Sequence, residues 1–128
     1  MTAKPRIAIA IGDPAGIGPE IALKAALNRG VREFSEPIIV GDTEVLARYA
    51  HTLRKTPPEN IVDLGVMNVN FLTPGESDAA CGRAILEYAG RAIDMATAGE
   101  VDAVVACPQT QSSIKSAGIE FDGYPSYV

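Results

Sequence analysis

The chain has 128 residues, 47% of them hydrophobic and 21% charged, which is the composition of one folded domain and excludes a wholly disordered chain. Its net charge is −5 and its eleven Lys and Arg residues are scattered, so we expect no cationic surface for nucleic acid. The longest apolar run, residues 7–11, is too short to cross a bilayer, and the first six residues lack the apolar segment of a signal peptide. We therefore expect a cytoplasmic protein without a membrane segment.

The cysteines and the histidine limit the chemistry of the chain. Cys81 and Cys107 lie far apart with no CxxC pair, so we expect two buried free thiols, with a structural disulfide as the alternative. His51 is the single histidine and cannot form a zinc site by itself. It stands in a polar stretch, where solvent exposure is the expectation.

The amino-terminal third predicts a strand followed by a helix. Residues 6–11 read RIAIAI, a continuous apolar run typical of a strand buried on both faces. After a turn rich in Gly and Pro, Pro19 and Glu20 suit the first turn of a helix that continues through residues 21–27. Gly30 is predicted to end this helix.

The middle of the chain repeats this alternation. Residues 37–40 (PIIV) predict a second strand, and residues 43–53 predict a helix with Thr43 as a candidate cap. One face of this helix carries the apolar residues Val45, Leu46, Tyr49 and Leu53. Residues 61–64 and 66–72 predict two further strands.

The carboxyl-terminal half begins with the longest periodic segment. Residues 77–98 predict a helix that ends at Gly99, and one face of it carries Ala80, Ala84, Ile85, Tyr88, Ala92 and Met95. Residues 102–107 (DAVVAC) predict a third buried strand, and residues 109–117 a short helix. Residues 119–128 contain Gly and Pro, and residues 121–126 taken alone predict a turn.

Strands and helices therefore alternate, which predicts an α/β fold with a largely parallel sheet flanked by helices. We expect residues 6–11, 37–40 and 102–107 to form neighbouring parallel strands. The sequence contains no internal repeat and no linker, so the chain is one domain or part of one.

The most informative stretch is GDPAGIGPE, residues 12–20, which follows a predicted buried strand and opens a helix. In open α/β sheets ligands bind at the carboxyl ends of the strands, and glycine lets the backbone approach a ligand. The spacing is neither GxGxxG nor that of a P-loop. The stretch is either a tight structural turn or a ligand-facing loop, and Asp13 either orients a substrate or caps the next helix.

A second stretch, ACPQTQ at residues 106–111, also follows a predicted strand, so it is expected at the same sheet edge as residues 12–18. Thr110 and Gln111 are candidate ligand contacts there. The alternative is that Thr110 or Ser112 caps the following helix. Cys107 has no neighbouring His or basic residue, so we do not propose it as a nucleophile.

Three segments, in this order, carry a resemblance to a known family: IAIGDPAGIGPEIALKA, PGESDAACGRAILEYAGRAIDMA and AGEVDAVVACPQTQSSIKSAGIEFDGYPSYV. They are similar to the amino-terminal part of 4-hydroxythreonine-4-phosphate dehydrogenases. The resemblance implies a fold like that of isocitrate and isopropylmalate dehydrogenases, with two α/β domains. Residues 1–128 would be the amino-terminal part, with the crossover to the second domain starting after about residue 108.

The same resemblance implies an activity. The family oxidises a secondary alcohol with NAD or NADP, a divalent metal polarises the oxygen, and the β-keto acid formed can lose carbon dioxide. It acts as a homodimer on a small molecule, and the positions of Thr110 and Gln111 touch the substrate. No residue of this chain is assigned to catalysis or to cofactor binding.

This sequence departs from the family at two places. The family has Asn-Lys or His-Lys where Thr110 and Gln111 stand, so a positive charge is missing. The family's first metal histidine is replaced by Tyr124, and a neutral phenol is a poor ligand for a divalent ion, so no metal ligand is assigned. The Gly-Tyr-Pro-Ser version resembles a branch that includes terephthalate cis-dihydrodiol dehydrogenases.

Three hypotheses for function follow. The first is a secondary-alcohol dehydrogenase, whose substrate is a phosphorylated hydroxy-amino acid or a carboxylated cis-dihydrodiol. The second is a small-molecule or anion-binding α/β module without catalysis, and the third is an interaction or regulatory fragment. Under the first hypothesis, we expect residues 1–128 alone to be inactive.

Overall fold

A computed structural model describes residues 3–127. Met1 and Thr2, and Val128 at the end of the third resemblance segment, lie outside the described residues. Within these residues, four parallel strands form one sheet in the order β3–β2–β1–β4. The strands are β1 (Arg6–Ala10), β2 (Glu36–Gly41), β3 (Ile61–Asp63) and β4 (Ala103–Ala106). The predicted α/β class and the three neighbouring parallel strands are confirmed.

Four helices connect the strands: α1 (Gly18–Leu27), α2 (Arg29–Phe34), α3 (Thr43–Leu53) and α4 (Ala79–Thr97). Two more helices follow β4: α5 (Gln111–Ser116) and α6 (Tyr124–Tyr127). The crossovers through α1 and α3 place β2 and then β3 on one side of β1, whereas the crossover through α4 places β4 on the other side of β1. Since crossovers between parallel strands are right-handed, α4 packs on the opposite face from α1 and α3. None of these described helices is long and apolar enough to span a membrane.

The core lies between the two central strands and the helices α1, α3 and α4. Ala8, Ile39 and Val40 are fully buried in β1 and β2, as the continuous apolar runs predict. The predicted apolar face of α4 is confirmed, because Ala84, Ile85, Tyr88, Ala92 and Met95 are all buried. Burial of this face anchors α4 across the sheet.

The prediction that residues 102–107 form a buried strand is wrong in one respect. β4 lies at the edge of the sheet and, among the described residues, pairs only with β1. Val104 is half-buried, but Val105 is 50% exposed, because α1 and α3 cover the opposite half of that sheet face. An exposed apolar edge strand of this kind is one that further chain normally covers.

Gly30 does not end the first helix as predicted. α1 ends at Leu27, and Asn28 begins α2 by accepting a hydrogen bond from the backbone N–H of Val31 at 3.1 Å. Asn28 is extended, with φ −70° and ψ 127°, so it breaks the first helix and caps the second. Gly30 lies inside α2.

Two predictions around β3 are also wrong. Residues 66–72 form no strand but contain a 3₁₀ turn, Val69–Phe71. The reason is Asp42, whose carboxylate accepts the backbone N–H groups of Val66 at 3.1 Å and Met67 at 2.7 Å, so these donors do not join a strand ladder. Asp42 also occupies the cap position of α3 that was predicted for Thr43.

The start of α4 gives a prediction about pH. Asp78 accepts a hydrogen bond from the backbone N–H of Cys81 at 3.0 Å, and this bond holds the pKa of Asp78 below its ordinary value. Asp78→Ala is expected to cost about 1 kcal/mol of unfolding free energy at neutral pH. Because the folded-state pKa is depressed, this contribution is present above the unfolded-state pKa and is lost as pH falls through the folded-state pKa.

Urea denaturation of wild-type and variant proteins over a pH series measures this difference. Asp78→Ser is the control, since serine retains a capping oxygen without a titrating carboxyl. A difference between Asp78→Ala and wild type that stayed constant down to the most acidic folded sample would contradict the assignment.

Candidate functional site

The two predicted site segments meet at the carboxyl ends of β1 and β4. The backbone N–H of Asp13 donates to the carbonyl oxygen of Pro108 at 3.0 Å, and the Thr110 hydroxyl donates to the Asp13 carboxylate. The prediction that residues 12–18 and Thr110 share one edge of the sheet is therefore confirmed. This edge is where open α/β folds bind ligands.

Two glycines allow this close approach. Gly12 has φ +69°, and a Cβ atom there would lie 2.3 Å from the carbonyl oxygen of Pro108. A Cβ atom on Gly18 would lie 1.9 Å from the carbonyl oxygen of Ile11. Both neighbours are backbone atoms, so the glycines are required for chain packing and their presence needs no ligand to explain it.

Asp13 is 3% exposed, and both of its carboxylate oxygens are occupied within the protein. One oxygen accepts the backbone N–H of Ala15 at 2.9 Å, and the other accepts the Thr110 hydroxyl. Asp13 is not the cap of α1, because that position belongs to Ile17. Residues 12–15 are buried, so this part of the stretch is the tight structural turn of the two alternatives.

Tyr49 holds the same turn from α3, and no motif in the sequence identified it. Its hydroxyl donates to the carbonyl oxygens of Gly16 at 2.8 Å and Pro14 at 3.2 Å. Burial, and then the nearby Asp13 carboxylate, raise the pKa of Tyr49 above its ordinary value. Tyr49 was predicted only as part of an apolar helix face, and its spacing contains no signal for this second role.

Thr110 and Gln111 lie on the exposed side of the turn. Thr110 is half-buried at the cap position of α5, but its hydroxyl bonds to Asp13 and does not cap that helix. Gln111 is exposed, and its side-chain Nε2 donates to the carbonyl oxygen of Phe121 at 3.2 Å. The alternative that Ser112 caps the helix is wrong, because Ser112 lies inside α5.

Tyr124 is the first residue of α6 and contacts the residue that follows β4. Its hydroxyl donates to the carbonyl oxygen of Cys107 at 3.4 Å, and its ring packs edge-on against Phe121 with centroids 5.5 Å apart. Burial, and then Cys107, raise the pKa of Tyr124 to about 12. Tyr124 is therefore a neutral hydrogen-bond donor at neutral pH.

This pKa gives a second prediction. Because the folded-state pKa of Tyr124 is raised, the stability it contributes is present below the unfolded-state pKa near 10 and is lost as pH rises through about 12. A tyrosinate absorbance titration of wild type minus Tyr124→Phe is expected to show one phenol that ionises near pH 12. Ionisation of that phenol near pH 10 would contradict the buried placement.

The described residues do not form a metal site. Among residues 3–127, no group of three or more His, Cys, Asp or Glu side chains could hold an ion. Both oxygens of Asp13 already accept hydrogen bonds, and Tyr124 is a neutral phenol, so neither is a suitable metal ligand. We assign no step to a metal ion through these residues.

The two cysteines and the histidine match their predictions. Cys81 and Cys107 are buried free thiols, and burial raises the pKa of Cys107 to about 11, which leaves it unreactive as a nucleophile. His51 is exposed, as its polar neighbours predict.

Comparisons with known proteins agree with one another. The family model described as pyridoxal phosphate biosynthetic protein PdxA matches residues 33–128. A protein named D-threonate 4-phosphate dehydrogenase from Symbiobacterium thermophilum is 36% identical over 97% of this chain, and one from Oceanobacillus iheyensis is 33% identical over 97%. This chain spans 42% of the length of each of these two relatives.

Two solved structures place the fold beside named enzymes. A 4-hydroxythreonine-4-phosphate dehydrogenase from Burkholderia phymatum matches 97% of this chain with a TM-score of 0.88 and 25% identity. A terephthalate 1,2-cis-dihydrodiol dehydrogenase from Burkholderia xenovorans LB400 matches 98% with a TM-score of 0.82 and 37% identity. The match covers 42% of the first structure and 40% of the second.

Proposed function

Because this chain belongs to the pyridoxal phosphate biosynthetic protein PdxA family, we propose that the whole protein is a dehydrogenase that oxidises a secondary alcohol with NAD or NADP. The observation that carries this proposal is the match of nearly the whole chain to two solved dehydrogenases. In the reaction the alcohol carbon gives up a hydride and the hydroxyl its proton, which leaves a ketone. A bound nicotinamide cofactor supplies the hydride acceptor.

Residues 1–128 form the amino-terminal part of this two-domain enzyme in our proposal, with the crossover to the second domain after about residue 108. The exposed edge strand β4, with Val105 50% exposed, supports it, because the rest of a longer chain would cover that edge. By the same resemblance, we propose that the whole protein acts as a homodimer. We also propose that it is cytoplasmic, as the sequence analysis predicts.

The substrate proposed first is a carboxylated cis-dihydrodiol. Gln111 is uncharged where the family resemblance places a lysine, and Tyr124 is a neutral phenol where it places a histidine. Both changes remove groups suited to a phosphate and a metal. The 37% identity to the terephthalate dihydrodiol dehydrogenase, against 25% to the 4-hydroxythreonine-4-phosphate enzyme, supports the same choice.

A phosphorylated hydroxy acid of the D-threonate type is the second candidate. The 36% identity to the Symbiobacterium thermophilum relative favours it. Residues outside this segment would then supply the cations that a phosphate requires, because Thr110 and Gln111 supply none.

The test is a nicotinamide absorbance assay of the full-length protein with NAD and NADP, with divalent metal added. The substrates are the cis-dihydrodiol of terephthalate, D-threonate 4-phosphate and 4-hydroxythreonine 4-phosphate. We expect turnover of the dihydrodiol and none of 4-hydroxythreonine 4-phosphate. Preference for either phosphorylated substrate would overturn the substrate proposal, and no turnover of any would favour a non-catalytic binding module.

Two variants and a truncation sharpen this assay. Tyr124→His restores the ligand type that the family resemblance places there, and Tyr124→Phe is its control without a donor or ligand. We expect neither variant to gain activity on 4-hydroxythreonine 4-phosphate, because Gln111 remains uncharged. Residues 1–128 alone are expected to be inactive with every substrate.

A further inference from the structure

The direction of the hydrogen bond between Thr110 and Asp13 decides what Thr110 offers to a ligand. A threonine hydroxyl has one proton to donate and two lone pairs that accept. Here that proton is directed to the Asp13 carboxylate, whose oxygens act as hydrogen-bond acceptors. Thr110 is half-buried, so a ligand that reached its hydroxyl oxygen would meet lone pairs there and no proton.

Asp13 is well placed to enforce this direction. It is 3% exposed, so water does not compete for its oxygens. Its other oxygen accepts the N–H of Ala15 at 2.9 Å, and its own N–H donates to the carbonyl oxygen of Pro108 at 3.0 Å. These bonds fix the carboxylate relative to both segments, so Thr110 cannot easily turn its proton towards a ligand.

Gln111, the neighbour of Thr110, also has one of its donors already engaged within the protein. One amide proton of Gln111 goes to the carbonyl oxygen of Phe121 at 3.2 Å. An anionic group such as a phosphate needs several donors around it, whereas a hydroxyl of a ligand needs one acceptor. The negative carboxylate behind Thr110 further disfavours an anion at this corner.

We infer that Asp13 is a positioning residue that makes Thr110 an acceptor for a hydroxyl group of the substrate, so that this corner selects a hydroxyl and rejects a phosphate or carboxylate. The inference rests on the proposed function, in that the ligand is a hydroxylated small molecule. It separates two roles: Thr110 contacts the ligand, and Asp13 acts through Thr110 without contact.

The experiment measures binding without cofactor, by titration calorimetry of the full-length protein. The probes are the cis-dihydrodiol of terephthalate and inorganic phosphate, and the variants are Asp13→Asn, Thr110→Val and Thr110→Ser. Asp13→Asn frees the Thr110 proton, so we expect dihydrodiol binding to weaken about three- to tenfold and phosphate binding to strengthen about threefold. Opposite changes of this kind do not arise from general loosening of the turn, which weakens both ligands.

The threonine variants keep the test informative if Asp13→Asn does not fold. Thr110→Val is expected to weaken dihydrodiol binding about three- to tenfold without strengthening phosphate, and Thr110→Ser to restore it to within about twofold. Ser112→Ala, at an exposed position two residues away, is the control and should leave both affinities unchanged.

The outcomes distinguish this inference from the proposed function. Parallel weakening of both probes by Asp13→Asn, or unchanged dihydrodiol binding in Thr110→Val, would overturn the inference. So would absence of dihydrodiol binding in a wild-type preparation that oxidises D-threonate 4-phosphate, although the dehydrogenase function would stand. The predicted affinity changes in a protein that oxidises no substrate would overturn the function and support the inference.

Discussion

Gly12→Ala is expected to lower the free energy of unfolding by about 3 to 4 kcal/mol, the largest loss of stability that we predict. Gly12 has φ +69°, which costs an L-residue about 1 kcal/mol. The new Cβ atom would also lie 2.3 Å from the carbonyl oxygen of Pro108. Because backbone atoms form this contact, relief requires the two site segments to separate.

Gly99→Ala is the control that carries the cost of positive φ alone, so the difference between the two variants gives the cost of the close approach. Gly99 also has positive φ, +77°, but a Cβ atom there meets nothing within 4 Å, so its expected loss is about 1 kcal/mol. Urea denaturation of the full-length wild type and both variants measures the difference. Equal losses in the two variants would show that the close approach of Gly12 to Pro108 is not a real constraint.

Asp42→Ala is expected to cost about 3 kcal/mol of unfolding free energy. Asp42 is 1% exposed, and its carboxylate accepts two backbone N–H groups, those of Val66 and Met67. Removing the buried carboxylate deletes two hydrogen bonds to a charged acceptor, each of which contributes about 1.5 to 3 kcal/mol. Asp42→Asn keeps one acceptor oxygen and is expected to lose about half as much.

Asp63→Ala is the matched control, since Asp63 is also an aspartate at the carboxyl end of a strand. Asp63 is exposed and accepts one backbone N–H, that of Thr43 at 3.0 Å. Water can replace that partner, so the expected loss is below about 1 kcal/mol. A thermal denaturation series in which Asp63→Ala lost as much as Asp42→Ala would contradict the role given to burial.

The sequence predicted three neighbouring parallel strands because the relevant signals are local. Apolar runs marked β1, β2 and β4, and the alternation with helices required parallel pairing through crossovers. The apolar face of α4 was equally visible from its helical spacing. Each of these elements is determined by residues within itself.

The errors arose where a distant side chain decides the backbone conformation. Residues 66–72 have an apolar pattern typical of a strand, but Asp42, far away in sequence, captures the N–H groups of Val66 and Met67. The burial of β4 depends on which chain lies beyond it, and its own composition does not specify that. Asn28 could have been recognised as a cap, because asparagine is among the strongest capping residues.

The sequence predicted where the candidate site lies but not the hydrogen bonds within it. The rule that ligands bind at the carboxyl ends of strands brought Asp13 and Thr110 to one edge. The sequence could not show that Asp13 is buried with both oxygens occupied, or that Tyr49 holds the carbonyls of the turn. Those contacts depend on the packing of α3 against residues 14–16, which no spacing encodes.

The position of β4 beside β1 has a consequence for the growing chain. The backbone N–H of Arg6 donates a hydrogen bond to the Asp102 side chain, 96 residues later, at 2.8 Å. β1 therefore cannot complete its pairing until β4 has been synthesised. The roughly 60 residues between β2 and β4 take about 3 to 12 seconds to translate. During that interval one edge of β1 leaves the ribosome with its backbone groups open to other strands. Translation speed along α3 and α4 therefore sets how long the nascent protein needs protection from aggregation.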